Sequence, residues 1–337
     1  MEMEIANTIK AVNEREWRTL VRTDLTERSY RWYRTVEDSG MMKMRYVFLR
    51  KKGNLVAAAC SYVFKEEMYK IEVPFLQVGT PMGGSIAFYS THSQDAQQLI
   101  NGLEEIQIEE KTKGILILEL RKNEYVKINN QVRGFTGFQL PENTYIDLNF
   151  EDFNGYLASL HEDAWRSVRM TLNRARRWKI KTVFTNEFSQ WKDTVYRLQR
   201  DTCEQHEDYQ WHLTQKFYEA LENHLKEEAE LVIFFKDDIP LAFGLGLNSP
   251  STAQYKFAGV DSRYRKYQAY FLIYYEGIRR AIEKKQKRIY LGSTTYEFKE
   301  KIGCKRESLF GYGKMKNPLL NLAFRSYAAI YRLYRSR

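Results

Sequence analysis

The sequence predicts a mixed α/β (α+β) chain made of two similar units, and three observations carry that prediction. An order of helices, β-hairpin, strand, helix and strand can be read in the first half and again in the second. The 337 residues are enough for two domains of ordinary size, each burying its own core. Apolar runs such as Leu55–Cys60 and Ile115–Leu118 are far shorter than the ~20 residues a bilayer crossing needs, so no transmembrane helix is expected.

In chain order, residues 14–38 place Trp17, Leu20, Val21, Leu25, Tyr30, Trp32 and Tyr33 among charges, as one or two amphipathic helices do. Arg45–Arg50, a turn over Lys51–Asn54 and Leu55–Phe64 form a hairpin with glycine in its loop. Val73–Ser90 concentrates Gly79, Pro81, Gly83 and Gly84, which marks a loop where backbone can come close to another group. Gln94–Thr112 has helical period, and Gly114–Leu120 is a continuous apolar strand. After a transition over residues 121–150 that contains a strand at Thr144–Leu148, helices follow over about 151–178 and 187–228. A second hairpin joins Leu231–Phe235 to Ile239–Leu247 around Asp237–Asp238, with a further strand at Tyr255–Val260. The remainder predicts a helix at about 266–285, strand Arg288–Leu291, a short helix at 294–302 and a closing strand at about 308–315. Expected domains are therefore 1–143 and 144–316, with 317–337 as a basic, aromatic helix that covers part of the core or, alternatively, lies on an anionic membrane or holds RNA.

Composition narrows the function classes. Hydrophobic residues make up 43% and charged residues 28%, the balance of a globular protein rather than a disordered one. The N-terminal Met1–Lys10 lacks a basic region followed by an apolar one, so no secretory signal is expected and the cytoplasm is the default location. Cys60, Cys203 and Cys304 are odd in number and widely separated, which predicts reduced, buried thiols rather than disulfides or a thiolate metal site. His206 and His212, the two histidines closest in sequence, fall on different helix faces, and no metal is expected. A net charge of +10 favours encounter with anionic partners such as RNA, nucleotide phosphates or an acidic membrane surface.

Several segments, in order, resemble the FemAB family and the related FemAB-like acetyltransferases. They are Phe138–Leu148 (FQLPENTYIDL), the basic Arg166–Ile180 (RSVRMTLNRARRWKI), Gly259–Ala269 (GVDSRYRKYQA) with the helix after it, and Gly292–Gly303 (GSTTYEFKEKIG). In the first half, Gly79–Gly84 (GTPMGG) is similar to the family's acceptor-side glycine loop. The resemblance implies two tandem GNAT-like domains, each a mixed, mostly antiparallel sheet flanked by helices, with the acceptor side in the first and the donor side in the second. It implies direct transfer of an acyl or aminoacyl group to an amine in a ternary complex. No cofactor is expected to be tightly bound; the co-substrate is aminoacyl-tRNA, acyl-CoA or an acyl-carrier protein. The acceptor is an amine-bearing small molecule or a peptide or cell-wall precursor, tRNA is a partner if it is the donor, DNA is not, and peripheral membrane contact remains open. Stretch 263–269 lacks the glycines with which such enzymes usually grip a pyrophosphate at a helix N-terminus, which shifts weight toward aminoacyl-tRNA.

By the same resemblance Lys299 is the catalytic candidate, a cation for the oxyanion that develops when an amine attacks a carbonyl. Thr294 and Glu297 form a possible capping box for its helix, and Gly303 would end it. Gly292, Tyr296, Phe298, Tyr264 and Tyr267 are donor-side candidates, although aromatic residues more often fill a core. Arg166, Arg169, Arg176 and Arg177 fall within an arc of roughly 100° on one helix, with Arg174 beyond its edge. Arg166 and Arg169 are the arginines taken for donor phosphates, and a solvated basic face is the alternative. Gly79, Gly83 and Gly84 are the acceptor-side candidates, with a tight structural turn as the alternative. The rival function is a non-catalytic RNA- or membrane-surface-binding protein on the same fold. No residue convincing as a general base stands out.

Overall fold

A computed structural model describes residues 1–68, 71–90, 92–207 and 212–335. The first half runs β1 (Glu2–Ala6), α1 (Glu14–Val21), α2 (Tyr30–Ser39), β2 (Met44–Lys51), β3 (Asn54–Met68), β4 (Ile71–Val78), β5 (Phe88–Tyr89), α3 (Ser93–Glu109), β6 (Gly114–Arg121), α4 (Lys122–Ile128) and β7 (Thr136–Gln139). The second runs β8 (Asn143–Asp147), α5 (Phe153–Ala158), α6 (Glu162–Arg177), β9 (Ile180–Thr185), α7 (Phe188–His206), α8 (Gln215–His224), β10 (Ala229–Lys236), β11 (Ile239–Asn248) and β12 (Thr252–Val260). It closes with α9 (Ala269–Glu283), β13 (Arg288–Gly292), α10 (Tyr296–Lys301), β14 (Lys305–Glu307), β15 (Leu309–Met315) and α11 (Pro318–Arg335).

The strands form two sheets, as the fold class predicted. One has the order β1-β2-β3-β4-β6-β15-β7 with β5 also on β3, and the other the order β14-β8-β13-β12-β11-β10-β9. Each is antiparallel except for one parallel pair, β4 with β6 and β12 with β13. A parallel pair needs a crossover, and α3 and α9 supply it. Both parallel pairs are short: Leu76–Val78 match Ile115–Ile117, and Thr252–Gln254 match Arg288–Tyr290. Beyond Gln254, β12 continues to Val260 without β13 beside it, so the second sheet opens into a wedge there.

Three features differ from the sequence reading or add to it. The closing strand at about 308–315 forms, but as β15 it lies in the first sheet between β6 and β7, so segment 144–316 does not keep all its strands in one sheet. Local periodicity marks a strand but carries no information about which open sheet edge receives it. Residues 2–6, to which the sequence reading assigns no element, pair with β2 from Glu2 opposite Arg50 to Ala6 opposite Tyr46. The helical stretch 187–228 is two helices, α7 and α8, with residues 208–211 outside the described residues.

A single apolar cluster joins the halves. Trp32 of α2 stands edge-on to Phe217 of α8 with ring centroids 5.9 Å apart, an arrangement adding about 0.5–1.5 kcal/mol to simple burial. Its indole N–H donates to the Pro81 carbonyl at 2.9 Å, so the glycine-rich loop is held by the same residue that seals the interface. Residues 24–28 extend onto the second sheet: Thr26 Oγ1 donates to the Asn248 carbonyl at 2.9 Å, and Ser249 Oγ donates to Asp24 at 3.1 Å. At the far end, α11 starts on Pro318, which is suited to a first helical position. Its Phe324 packs edge-on against Phe138 at 5.5 Å and lies over Gly313, where a Cβ would come within 2.7 Å of the ring. Leu319, Leu322 and Tyr327 remain exposed, and Arg337 lies outside the described residues. Cys60, Cys203 and Cys304 are buried and form no disulfide among the described residues. Among the described residues no helix is long and apolar enough to cross a membrane.

Candidate active site

The wedge in the second sheet is where side chains from both halves meet. On β11 and β12, Leu245 stands opposite Phe257 and Gly246 opposite Tyr255, which leaves Lys256 as the extra residue of a β-bulge. Bulges of this kind re-aim a side chain, and Lys256 reaches the carboxylate of Glu27 across the interface. Glu27 is fully buried, and the same oxygen also accepts from the Gly84 backbone N–H at 3.1 Å. Burial alone would raise its pKa, but the charge and hydrogen bond of Lys256 prevail and hold it down at about 2. Gly83 is required by space: a Cβ there would sit 1.9 Å from Thr80 Oγ1 and 3.1 Å from Glu27. The expected acceptor-side loop therefore contacts the second half through Gly84 and Glu27; Gly79 has room for a Cβ and makes no comparable approach.

A second bulge lies on β6. Phe310 of β15 faces Leu120 and Tyr312 faces Ile117, so Leu118 and Glu119 together stand opposite Gly311. Glu119 has φ +63°, a left-handed conformation that costs a non-glycine residue about 1–2 kcal/mol. Gly311 cannot be larger, because its Cβ would lie 2.8 Å from Phe138 and 3.0 Å from Leu118. Glu119 is half-buried and makes no hydrogen bond or ion pair among the described residues. Burial, joined by the charge of Glu27, raises its carboxyl to about 7, while Lys256 and Arg121 pull the other way. Arg121, two residues on, pairs with Glu307 at 2.9 Å and lies 5.3 Å from the centre of the Tyr290 ring on β13.

Beyond Tyr290 the same strand ends at Gly292, against which Lys299 is held. A third bulge, at Leu291, separates Tyr290 from Gly292, whose φ is +82°. The Gly292 carbonyl accepts from Thr144 Oγ1 at 2.6 Å and from Lys299 Nζ at 3.3 Å. Lys299 is only 1% exposed and has no carboxylate partner among the described residues, although lysine is almost never fully buried unless paired. Its ammonium is 5.9 Å from the centre of the Tyr274 ring, and burial lowers its pKa to about 8. The helix that carries it is α10, but Thr294 and Glu297 do not form the expected capping box. Thr295 is the cap, at φ +51° with no side-chain bond, because the chain leaves Gly292 by a left-handed step, and Glu297 pairs instead with Lys301 at 2.7 Å. Gly303, at φ +90°, follows the helix end.

The other candidates fall in three places. Tyr296 donates from its hydroxyl to the Glu142 carbonyl at 2.7 Å, and Phe298 packs on Phe271 and Tyr274 at 5.0 and 5.1 Å, in the core. Tyr264 and Tyr267 stack at 6.4 Å just before α9, with Trp178 edge-on to Tyr267 at 5.3 Å. Arg169, stacked on Trp165 at 4.7 Å, and Arg176 line a cavity of about 310 Å³ together with Arg279, Asn154 and Asn173. Arg166 is exposed and pairs with Glu162 one turn away, so the predicted arginine face is only partly gathered at the cavity. Neither Lys299 nor the glycine loop lines that cavity.

Sequence reasoning missed Glu27, Glu119 and Lys256. Glu119 had left a signal: it is the one carboxylate inside the apolar run Gly114–Leu120. Glu27 and Lys256 are unremarkable locally and acquire meaning only when the halves pack.

Residues 165–300 match the acetyltransferase (GNAT) domain family. No curated protein sequence matches the chain. Among solved structures, FemX is 14% identical, with 96% of this chain and 100% of that one covered at a TM-score of 0.63. The C-terminal domain (DUF2156) of a protein described as a lysylphosphatidylglycerol synthetase from Agrobacterium fabrum is 13% identical, with 94% and 95% covered at 0.61. A tandem GNAT protein from the clavulanic acid biosynthesis pathway is 9% identical, with 94% and 99% covered at 0.54. At these identities the likenesses establish the fold.

Proposed function

We propose that this chain, a FemAB-like protein of the GNAT superfamily with an acyltransferase domain over residues 165–300, moves an acyl or aminoacyl group from an aminoacyl-tRNA or an acyl thioester onto an amine, by direct attack in a ternary complex. The observation that carries this reading is Lys299: a buried ammonium without a carboxylate, fixed by the Gly292 carbonyl at the end of β13. A cation kept free of counter-charge suits a carbonyl oxygen that becomes negative only in the transition state. The wedge beside β12 supports the placement, because strands that pair for three residues and then part leave backbone donors and acceptors for an extended donor arm. The interdomain loop of Gly83 and Gly84 is the acceptor side in this reading, with the aromatic ledge of Tyr264 and Tyr267 and the arginines Arg169 and Arg176 on the donor side. Holding both reactants together supplies much of the acceleration.

The test is a donor panel. Purified protein is given charged tRNAs and acyl-CoAs with an amine acceptor mixture, and donor loss is followed for wild type and for Lys299→Met. The expected result is turnover with one donor class and a loss of about 10²–10³ in kcat in the variant, with donor binding retained. Unchanged kcat in Lys299→Met would remove the lysine from the chemistry. A tRNA donor is recognised by binding that weakens steeply with salt.

A further inference from the structure

Bulges interrupt β12, β13 and β6, and the carboxylate on the third has no task so far. Glu119 is held in a strained left-handed conformation by its bulge, opposite a glycine that cannot be replaced without a clash. Strain of about 1–3 kcal/mol persists only where surrounding structure enforces it, and it gathers at functional sites. The neighbouring acid, Glu27, shows the contrast: one of its oxygens is held by both Lys256 and the Gly84 N–H. Glu119 has neither kind of partner among the described residues, yet it is close enough to feel the charges of Glu27 and Lys256, the pair that holds the Gly84 N–H.

We propose that Glu119 receives the ammonium group of the acceptor and acts as the general base that frees its lone pair. The inference rests on the transferase reading above and adds to it the protonation state of the acceptor amine: an ammonium that a protein carboxylate must deprotonate before attack. Glu119 takes one proton from the nitrogen. The lone pair attacks the donor carbonyl carbon, a C–N bond forms, and the oxyanion lies on Lys299. The carbonyl then re-forms as the C–S bond of a thioester, or the C–O bond of an aminoacyl ester, breaks with its electron pair. That leaving atom takes the second nitrogen proton, and Glu119 returns the first to water. Lys256 and Glu27 set the field in which Glu119 works, because Glu27 keeps its own charge and so repels a second one nearby. A carboxyl with a pKa near neutrality is matched to proton abstraction at cellular pH.

The two nitrogen nucleophiles methylamine, protonated at pH 7, and methoxyamine, already neutral there, separate this role from any other. Enzyme-dependent transfer to each, from the donor class that turns over, is measured for wild type, Glu119→Gln, Glu119→Asp and Lys299→Met. Glu119→Gln is expected to lose about 10²–10³ with methylamine but less than about tenfold with methoxyamine, which needs no base before attack. Glu119→Asp, which keeps the carboxylate, recovers part of the methylamine rate, and Lys299→Met loses both reactions. Equal losses with both nucleophiles, or no loss in Glu119→Gln, overturn the assignment of Glu119 while leaving the transferase reading in place. If wild type acylates neither nucleophile from any donor, the transferase reading fails and this inference fails with it.

Discussion

Lys256 and Lys299 both meet the splayed strands of the second sheet, one from β12 itself and one from α10 against the end of β13, yet their surroundings differ in kind. Lys256 meets a buried carboxylate that also holds a backbone N–H from the first half, so its charge is balanced inside the protein. Lys299 meets a carbonyl and an aromatic ring, so its charge is buried and unbalanced. The difference teaches how one residue type serves two purposes. A balanced cation fixes the seam between the halves and acts on the charge of Glu119, whereas an unbalanced one is the cation to which the proposed transfer assigns the oxyanion.

The strongest way to break that comparison is to remove the balanced cation. Lys256→Met leaves Glu27 fully buried with the Ser85 and Gly84 donors but without its cation. Losing one member of a buried pair costs about 3–5 kcal/mol, so the denaturant midpoint is expected to fall with an unchanged slope. The double variant Lys256→Met/Glu27→Leu should recover most of that loss, since no charge is then stranded. A single variant as stable as wild type would show that Lys256 does not balance Glu27 at all.

Removing the unbalanced cation should act in the opposite direction on stability. Lys299 titrates at about 8 in the folded protein, against a reference of 10.5. Below pH 8 both folded and unfolded chains carry the proton, and the folded state bears the full burden of burying the charge. Between pH 8 and 10.5 the unfolded chain still binds a proton that the folded one releases, so this site's contribution to stability rises with pH across that window. Lys299→Met should therefore be more stable than wild type at pH 7, by at most about 3 kcal/mol, with the advantage fading by pH 10. Melting temperatures at the two pH values check this, and a variant that is less stable at pH 7 would mean that the lysine is structural.

The two lysines also show how far the sequence could be read. Lys299 was legible because the run Gly292–Gly303 keeps its distinguishing residues contiguous, on one strand end and one short helix. Lys256 was not, because a bulge breaks the alternation from which the direction of a strand side chain is inferred. The same limit applies to β15: Leu309–Met315 has the composition of a strand wherever it docks, and only the open edge of β6 in three dimensions decides its sheet. The alternation of helices, hairpins and strands is local and could be followed, whereas the capping of α10 could not, because the left-handed step at Thr295 follows from where β13 delivers the chain. Glu119 is intermediate, a carboxylate within an apolar strand whose anomaly was visible before its neighbours were.

Glu119 sharpens the comparison on the acidic side, with the smallest effect. Its carboxyl is raised to about 7, above the ordinary range, so the folded state binds the proton more tightly than the unfolded chain does. The associated stability is fully present below the unfolded value near 4.3 and is lost as pH rises through 7. Glu119→Gln mimics the protonated form without titrating, so it should match wild type at pH 5 and exceed it at pH 8.5. Because Glu119 is half-buried, solvent screening keeps the difference below about 2 kcal/mol. Lys256→Met, if the chain still folds at pH 8.5, should enlarge the gap, since the cation that partly offsets Glu27 is then gone. A Glu119→Gln advantage that is the same at both pH values would mean that the substitution relieves backbone strain rather than charge. The bulge would then be all that distinguishes Glu119 from any other carboxylate in the molecule.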